Sequence, residues 1–249
     1  MNIAITTGDQ VHHKYLINVL KRYFPDDIKL VIIQKMSKKN PSKRNWLLGK
    51  TKNIFLIFIK LISYDFRGLR FPSEIEFFYT SDVNSVDVYN LLKKRKIDLL
   101  LVCGGKIIKD NILNILNGKI INIHNGYSPY YKGSYTLFFP IIENKHYLVG
   151  TTIHWLTKDV DGGDIILRNR FYPDNYFFKD FLFIDSFKKS IDSLVIILRL
   201  FLANFSLPLI RDYYKTKKVY YGKEFDLEKS KLINKKLHHL FFKKYLIIK

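Results

Sequence analysis

Residues 2–7, with apolar Ile3, Ala4 and Ile5 at their centre, form a short uncharged run closed by Gly8. Such a run reads as a buried strand, and Leu16, Val19, Leu20 and Tyr23 then recur at helical spacing over 13–23. Strand, turn and helix open an α/β unit. Pro25 and Asp26 punctuate the chain, 28–33 forms a second apolar strand, and a lysine-rich connector leads to an amphipathic stretch at 54–64. A short strand at 76–79 and a helix at 86–94 follow. The run 97–102, closed by Cys103, Gly104 and Gly105, has the character of a central parallel strand. Residues 111–116 read as a helix with Gly118 as its C-terminal cap, and 120–123 as the next strand.

Beyond this point strands at 151–156 and 165–171 flank a glycine-containing turn, so the sheet is expected to end in antiparallel edges. Residues 187–205 read as one long helix or two, with Ser186 as N-cap. The alternation predicts an α/β fold: a Rossmann-like, mostly parallel, doubly wound sheet with a small C-terminal helical and hairpin appendage. The expected division is a catalytic domain at 1–185 and the appendage at 186–249. A chain of 249 residues accommodates one domain of roughly 200–250 residues or one with such an appendage. No internal repeat is visible.

Composition narrows the function classes. One cysteine, Cys103, allows neither an internal disulfide nor a Cys-rich zinc site, which fits a reducing cytoplasm. The formal charge of +20 suits an anionic partner. The same charge also follows from the lysine, isoleucine and asparagine bias of an AT-rich coding sequence, and both readings stay open. The most apolar runs, 54–64 and 194–205, are broken by Lys60 and Arg199 and fall short of the roughly 18 residues a membrane span needs. The N-terminus lacks the basic and small-residue pattern of a targeting segment.

Candidate chemistry concentrates in two segments. Asn122 and His124 stand two apart at the end of a strand, so they share a face at the sheet edge where open α/β folds place ligands. An amide donating to a developing oxyanion beside an imidazole able to take a proton suits acyl transfer. Asp161, on a glycine-rich turn, could orient that imidazole. Singly, each residue also reads as a satisfied strand-end or turn residue.

Together the segments resemble a known family. Asn122-x-His124, Pro129 three residues before Lys132-Gly133, Gly150-x-Thr152-x-His154 and Asp161-x-Gly163-Asp164-Ile165 follow the pattern of the formyltransferases that use 10-formyltetrahydrofolate. That group includes glycinamide ribonucleotide transformylase, methionyl-tRNA formyltransferase and the sugar-nucleotide N-formyltransferases. The resemblance is clear over 97–170 and extends back to the first strand. It implies that Asn122, His124 and Asp161 are catalytic. The neutral amine would attack the formyl carbon, the Asn122 amide and protonated His124 would stabilise the oxyanion, and His124, tuned by Asp161, would move the proton, directly or through a water. No metal is implied.

The resemblance also implies a folate site. Lys106 and Ile108 would read the pterin edge through their backbones, Ile107 and Ile108 would give apolar cover, and 155–161, with Trp155, Thr157 and Asp159, would form the opposite wall. His154 would support. Ordinary core packing is the competing reading of Ile107 and Ile108.

Among acceptors, the 79 residues after Arg170 leave no room for the RNA-binding barrel of the tRNA enzymes. The glycine-rich phosphate loop of the ribonucleotide enzymes is reduced to Gly8. Similarity to the sugar-nucleotide enzymes implies a nucleotide-linked amino sugar, dTDP-4-amino-4,6-dideoxyglucose in O-antigen synthesis, as substrate. Gly8, Asp9, His12, His13 and Lys14 would approach its diphosphate, Tyr127, Tyr130 or Tyr135 would stack on a base or line a sugar, and Lys132 would assist. A solvated helical turn is the competing reading of His12 to Lys14. The aromatic tail 212–225 would supply a homodimer interface or a packed hairpin. A formyltransferase acting on another amine is one alternative reading. A basic, non-enzymatic module for nucleic acid or membrane surfaces is the other, since 35–52 and 229–249 each hold seven basic residues. The motif order favours the enzyme.

Overall fold

The computed structural model describes residues 1–35, 70–210 and 218–246. The lysine-rich connector beyond residue 35, the stretch 54–64 and part of the tail at 211–217 and 247–249 lie outside the described residues. The chain divides into two compact units, Met1–Leu116 and Asn117–Lys249.

The first unit contains β1 (Ile3–Thr7), α1 (Val11–Tyr23), β2 (Ile28–Gln34), β3 (Glu76–Thr80), α2 (Val86–Lys94), β4 (Leu99–Cys103) and α3 (Asp110–Ile115). Its strands run parallel in the order β3-β2-β1-β4. Every residue of β1 and β4 is buried, as a parallel sheet covered on both faces requires. The helix α1 turns Leu16, Ile17, Val19 and Leu20 inward, and each fully buried Leu or Ile contributes about 1.5–3 kcal/mol. Its last turn carries Lys21 and Arg22, which suit the negative end of the helix dipole. The Ser85 hydroxyl caps α2, accepting from the Val88 N–H at 3.4 Å. After α3 the backbone is left-handed at both Asn117 and the expected Gly118.

The second unit contains β5 (Ile120–His124), β6 (Lys132–Gly133), α4 (Phe139–Ile142), β7 (Gly150–Trp155), β8 (Ile165–Arg170), α5 (Lys179–Leu202), β9 (Val219–Tyr220) and α6 (Leu227–Leu246). The strand β7 runs antiparallel to both β5 and β8, as the turn pattern predicts. A core of Leu137, Phe138, Ile141, Val149 and Phe171 is closed by Leu182 of α5 and by Ile233 and Leu237 of α6.

One expectation is corrected here. The helix α5 starts at Lys179, and Ser186 lies buried inside it, its hydroxyl donating to the Phe183 carbonyl at 2.9 Å. Serine marks a helix start only when nothing else determines the fold. Here burial of Leu182 extends the helix, and the hydroxyl bonds back within it. Residues 212–217 of the expected hairpin lie outside the described residues. Val219–Tyr220 pairs in parallel with Lys132–Gly133, because the Tyr220 ring packs on Phe139 at 4.2 Å and on Tyr131 at 5.6 Å. The described part of the candidate dimer segment, 218–225, thus folds onto its own unit. Among the described residues no helix is long and apolar enough to cross a membrane, and no group of three His, Cys, Asp or Glu could hold a metal.

Candidate active site

The register of β5 against β7 places Asn122 opposite His154 and His124 opposite Thr152. The turn between β7 and β8 then returns to the same place. Gly163 allows this return, since a Cβ there would lie 1.8 Å from the Trp155 carbonyl oxygen. Asp161 adopts a left-handed φ of 45°, a conformation that Asp tolerates better than most residues, and its carboxylate enters the space between the two strands.

Four side chains meet there. Asn122 Nδ2 donates to Asp161 Oδ1 at 3.2 Å and lies 3.1 Å from His154 Nε2. His124 Nδ1 is 3.3 Å from Asp161 Oδ2, and His154 Nε2 is 3.6 Å from Oδ1. The Gly133 N–H donates to Asp161 Oδ2 at 2.7 Å. The cluster is closed to solvent: His124 is 6% exposed, His154 1% and Asp161 12%.

Backbone carbonyls assign the imidazole protons. His124 Nε2 is 2.9 Å from the Tyr131 oxygen, so this nitrogen carries the hydrogen and Nδ1 presents its lone pair to Asp161. His154 Nδ1 is 2.8 Å from the Trp155 oxygen, so its Nε2 accepts from Asn122. The two rings thus hold opposite tautomers, and each turns an unprotonated nitrogen toward one carboxylate. Burial pushes the His124 pKa below its ordinary 6.5 despite the attraction of Asp161. Burial alone would raise Asp161, but His124, His154 and the Gly133 N–H outweigh it and hold the carboxyl at about 2. At neutral pH His124 is therefore a neutral imidazole beside the Asp161 carboxylate, with Nδ1 open to take up one proton.

Both hydrogens of the Asn122 amide face inward, to His154 and Asp161.

Several supports escaped the sequence reading. Thr136 Oγ1 lies 3.2 Å from His124 Nε2, and a Cβ on Gly126 would come within 2.3 Å of that same nitrogen. The Tyr131 hydroxyl donates to Glu143 at 2.8 Å, as does that of Tyr220 at 2.6 Å, while Lys145 and Lys218 pair with the same carboxylate. Glycine next to a histidine motif, and an acid after an aromatic run, carry no signal of such contacts without the third dimension.

Other expected site residues lie around this centre or in the first unit. Trp155, Thr157 and Asp159 line the turn itself: the Trp155 N–H bonds to Asp164 at 2.9 Å, the Gly162 N–H bonds to the Asp159 carbonyl at 3.2 Å, and Thr157 lies against Gly163. Lys132 reaches over Gly162, whose Cβ would come within 3.3 Å of its Nζ. Tyr127 and Tyr130 stack at 6.3 Å on the loop after β5, held by Thr152, whose hydroxyl donates to the Gly126 carbonyl at 2.7 Å and accepts from the Ser128 N–H. Tyr135, left-handed and exposed, stacks on Phe225 at 4.3 Å.

In the first unit, Gly8 and Asp9 precede α1, whose first turn holds His12, His13 and Lys14. His13 packs against Gly8, and burial lowers its pKa to about 4, although Asp9 acts to raise it. It is therefore neutral near pH 7 and brings no charge to a phosphate. The Lys14 ammonium lies over the Phe71 ring at 5.2 Å. On the loop after β4, the Lys106 N–H donates to Gln34 at 2.9 Å, Ile108 is buried and Ile107 is exposed, its carbonyl accepting from Asn84 at 2.9 Å. The Lys106 N–H is thus engaged within the fold.

A neutral imidazole paired with a buried carboxylate beside a strand-end amide, on a Rossmann-like scaffold, is a site of the acyl-transfer class. Residues 50–172 match the formyl transferase family, and the chain belongs to that family. A methionyl-tRNA formyltransferase of Methylacidiphilum infernorum is 30% identical over 94 residues, 37% of this chain and 29% of that protein. A phosphoribosylglycinamide formyltransferase of Haemophilus influenzae is 35% identical over 80 residues, 31% of this chain and 36% of that protein. The chain thus spans about a third of the length of these two relatives. The crystal structure of WlaRD, a sugar 3N-formyl transferase in the presence of dTDP and 5-N-formyl-THF, shares the fold with a TM-score of 0.60 at 21% identity, over 98% of this chain and 81% of its own.

Proposed function

We propose that this chain transfers a formyl group from 10-formyltetrahydrofolate to the primary amine of a nucleotide-linked amino sugar. The observation that carries the reading is the convergence of Asn122, His124 and His154 on the single carboxylate of Asp161. Transfer to an amine sheds one proton from the attacking nitrogen and delivers one to the departing nitrogen. A cluster that rests one proton short, with His124 Nδ1 as the open nitrogen, serves both movements. Protonation of Nδ1 turns a lone-pair contact with Asp161 into a charge-assisted hydrogen bond, which stabilises the cation as it forms.

The folate supplies the activated one-carbon unit. The exposed Ile107 fits it, because a flat heteroaromatic ring would cover an apolar side chain that the fold leaves open. With the Lys106 N–H engaged by Gln34, the carbonyl of Lys106 and the backbone of Ile108 remain as polar partners on that loop. Asn122 would stabilise the developing oxyanion through its amide, giving up one of its inward hydrogen bonds. The acceptor class rests on the tyrosines and basic side chains around the loop after β5. These suit a base and phosphates better than they suit an RNA duplex.

The test is a panel assay with 10-formyltetrahydrofolate in which dTDP-4-amino-4,6-dideoxyglucose, initiator methionyl-tRNA and glycinamide ribonucleotide compete as acceptors. Formylation of the sugar nucleotide alone supports the reading. Formylation of tRNA or of the ribonucleotide at comparable rate moves the chain to another acceptor class, and turnover of none contradicts the activity.

A further inference from the structure

The second unit holds a cavity of about 510 Å³, within the 300–1,000 Å³ range usual for small-molecule sites. We propose that this cavity binds the nucleoside diphosphate end of the acceptor, with Arg168 and Arg170 as phosphate ligands and Tyr147 as the stacking platform. The proposal rests on the acceptor being nucleotide-linked and assigns residues that the motifs do not reach.

Charge is the first argument. Lys145, Arg168 and Arg170 line the cavity, and no carboxylate is among its lining side chains. The acid next to it in sequence, Glu143, is turned to Tyr131, Tyr220 and two lysines. Lys145 is itself paired with Glu143 at 3.2 Å, so the attraction of this wall for a dianion lies with the two guanidinium groups, whose forks match phosphate oxygens in pairs.

Preorganisation is the second. Arg168 and Arg170 are two apart on β8 and therefore share a face. Both guanidinium groups lie over the Tyr127 ring, at 5.0 and 5.9 Å from its centre. That ring is itself seated on Gly150, where a Cβ would come within 2.5 Å of it. The two arginines are thus held together before a ligand arrives, which lowers the ordering cost of binding. Tyr147, 61% exposed, leaves an aromatic face open at the same cavity. Base stacking on such a face is sequence-tolerant and strong.

Position is the third. His124, Thr152 and Arg168 stand opposite one another on β5, β7 and β8. One row of the sheet therefore joins the catalytic imidazole to the phosphate fork, across two strand spacings or roughly 10 Å. A single hexose between the reacting amine and the diphosphate bridges a gap of that order.

A folate carrying a glutamate tail also joins an aromatic ring to negative charge, so the test separates the two sources. Full-length protein is titrated calorimetrically with dTDP, thymidine, inorganic pyrophosphate and 5-formyltetrahydrofolate. We expect dTDP to bind at least about tenfold more tightly than thymidine or pyrophosphate. The double variant Arg168→Ala/Arg170→Ala should lose about tenfold or more in dTDP affinity and keep its affinity for the folate. Tyr147→Ala, at an exposed position that the fold does not need, should weaken dTDP and leave pyrophosphate unchanged. The proposal is overturned if dTDP does not bind, if both variants bind it like the parent, or if the arginine variant loses the folate instead. Binding is read without turnover. Arginine-dependent dTDP binding in a protein that formylates no amino sugar would sink the proposed reaction alone. Sugar formylation with unchanged acceptor KM in the double variant would sink the pocket alone.

Discussion

The carbonyl oxygen of Tyr131 lies 2.9 Å from His124 Nε2, and this single contact decides which imidazole nitrogen is left open to a proton. The Nε2–H is committed to the main chain, and Nδ1 faces Asp161. Burial keeps the resting ring neutral, so the histidine titrates below its ordinary 6.5. An NMR titration of the ring protons should place His124 below that value. In Asp161→Asn it should fall lower still, because the attraction that partly offsets burial is gone. A midpoint at or above 6.5 in the parent protein would contradict the assignment.

Gly126 keeps the imidazole in place by having no side chain. A Cβ there would lie 2.3 Å from both His124 Nε2 and Thr136 Oγ1 and 2.7 Å from the Tyr131 oxygen. Gly126→Ala should cost about 1–3 kcal/mol by overpacking and lower kcat further than the melting temperature suggests. Gly118→Ala is the control, since nothing lies within 4 Å of the added carbon and only its left-handed backbone is strained. Its kcat should match the parent. Thermal melts and kcat measured together on both variants decide the matter.

Glu143 ties two segments to the end of α4: that of Tyr131 before the helix, and that of Lys218 and Tyr220 at β9. Burial would raise its carboxyl, but hydrogen bonds from Tyr220, Tyr131, Lys145 and Lys218 prevail and hold it at about 2. A depressed carboxyl contributes stability above its ordinary 4.5, and the contribution is lost as pH falls from there toward 2. Glu143→Gln should therefore cost about 1–3 kcal/mol at pH 7 and show a flatter loss of stability between those pH values. Denaturant melts across the range check both.

His13 behaves in the opposite charge sense. Its folded pKa of about 4 lies below the 6.5 of the unfolded chain, so the unfolded state binds the proton first. Stability should fall as pH drops from 6.5 to about 4 and level off below. His13→Gln removes this contribution, and its melting temperature should vary less over that window. An unchanged slope would count against a buried, neutral His13.

The parallel half of the fold was legible because β1, β2 and β4 are short, largely apolar runs, and glycine follows two of them. The three catalytic candidates were legible because two of them share a strand face. What stayed hidden depends on tertiary contact. Ser186 looks like a helix start until Leu182 is seen to be buried, and α6 hides among lysines because only Ile233 and Leu237 anchor it. Arg168 and Arg170 read as an ordinary exposed strand end, and their relation to Tyr127 exists only once β8 lies beside β7. Asn122 was found, but the direction of its amide follows from His154 and Asp161, which no spacing encodes.

The most direct measurement is the rate of formyl transfer from 10-formyltetrahydrofolate to dTDP-4-amino-4,6-dideoxyglucose by the parent protein and by Asp161→Asn, at saturating acceptor. The substitution keeps the size of the side chain and removes the charge that stabilises a proton on His124. The expected result is turnover by the parent and a fall in kcat of about 10²–10⁴-fold in the variant, with acceptor KM little changed. Equal rates in the two proteins would contradict the role given to the Asp161 cluster.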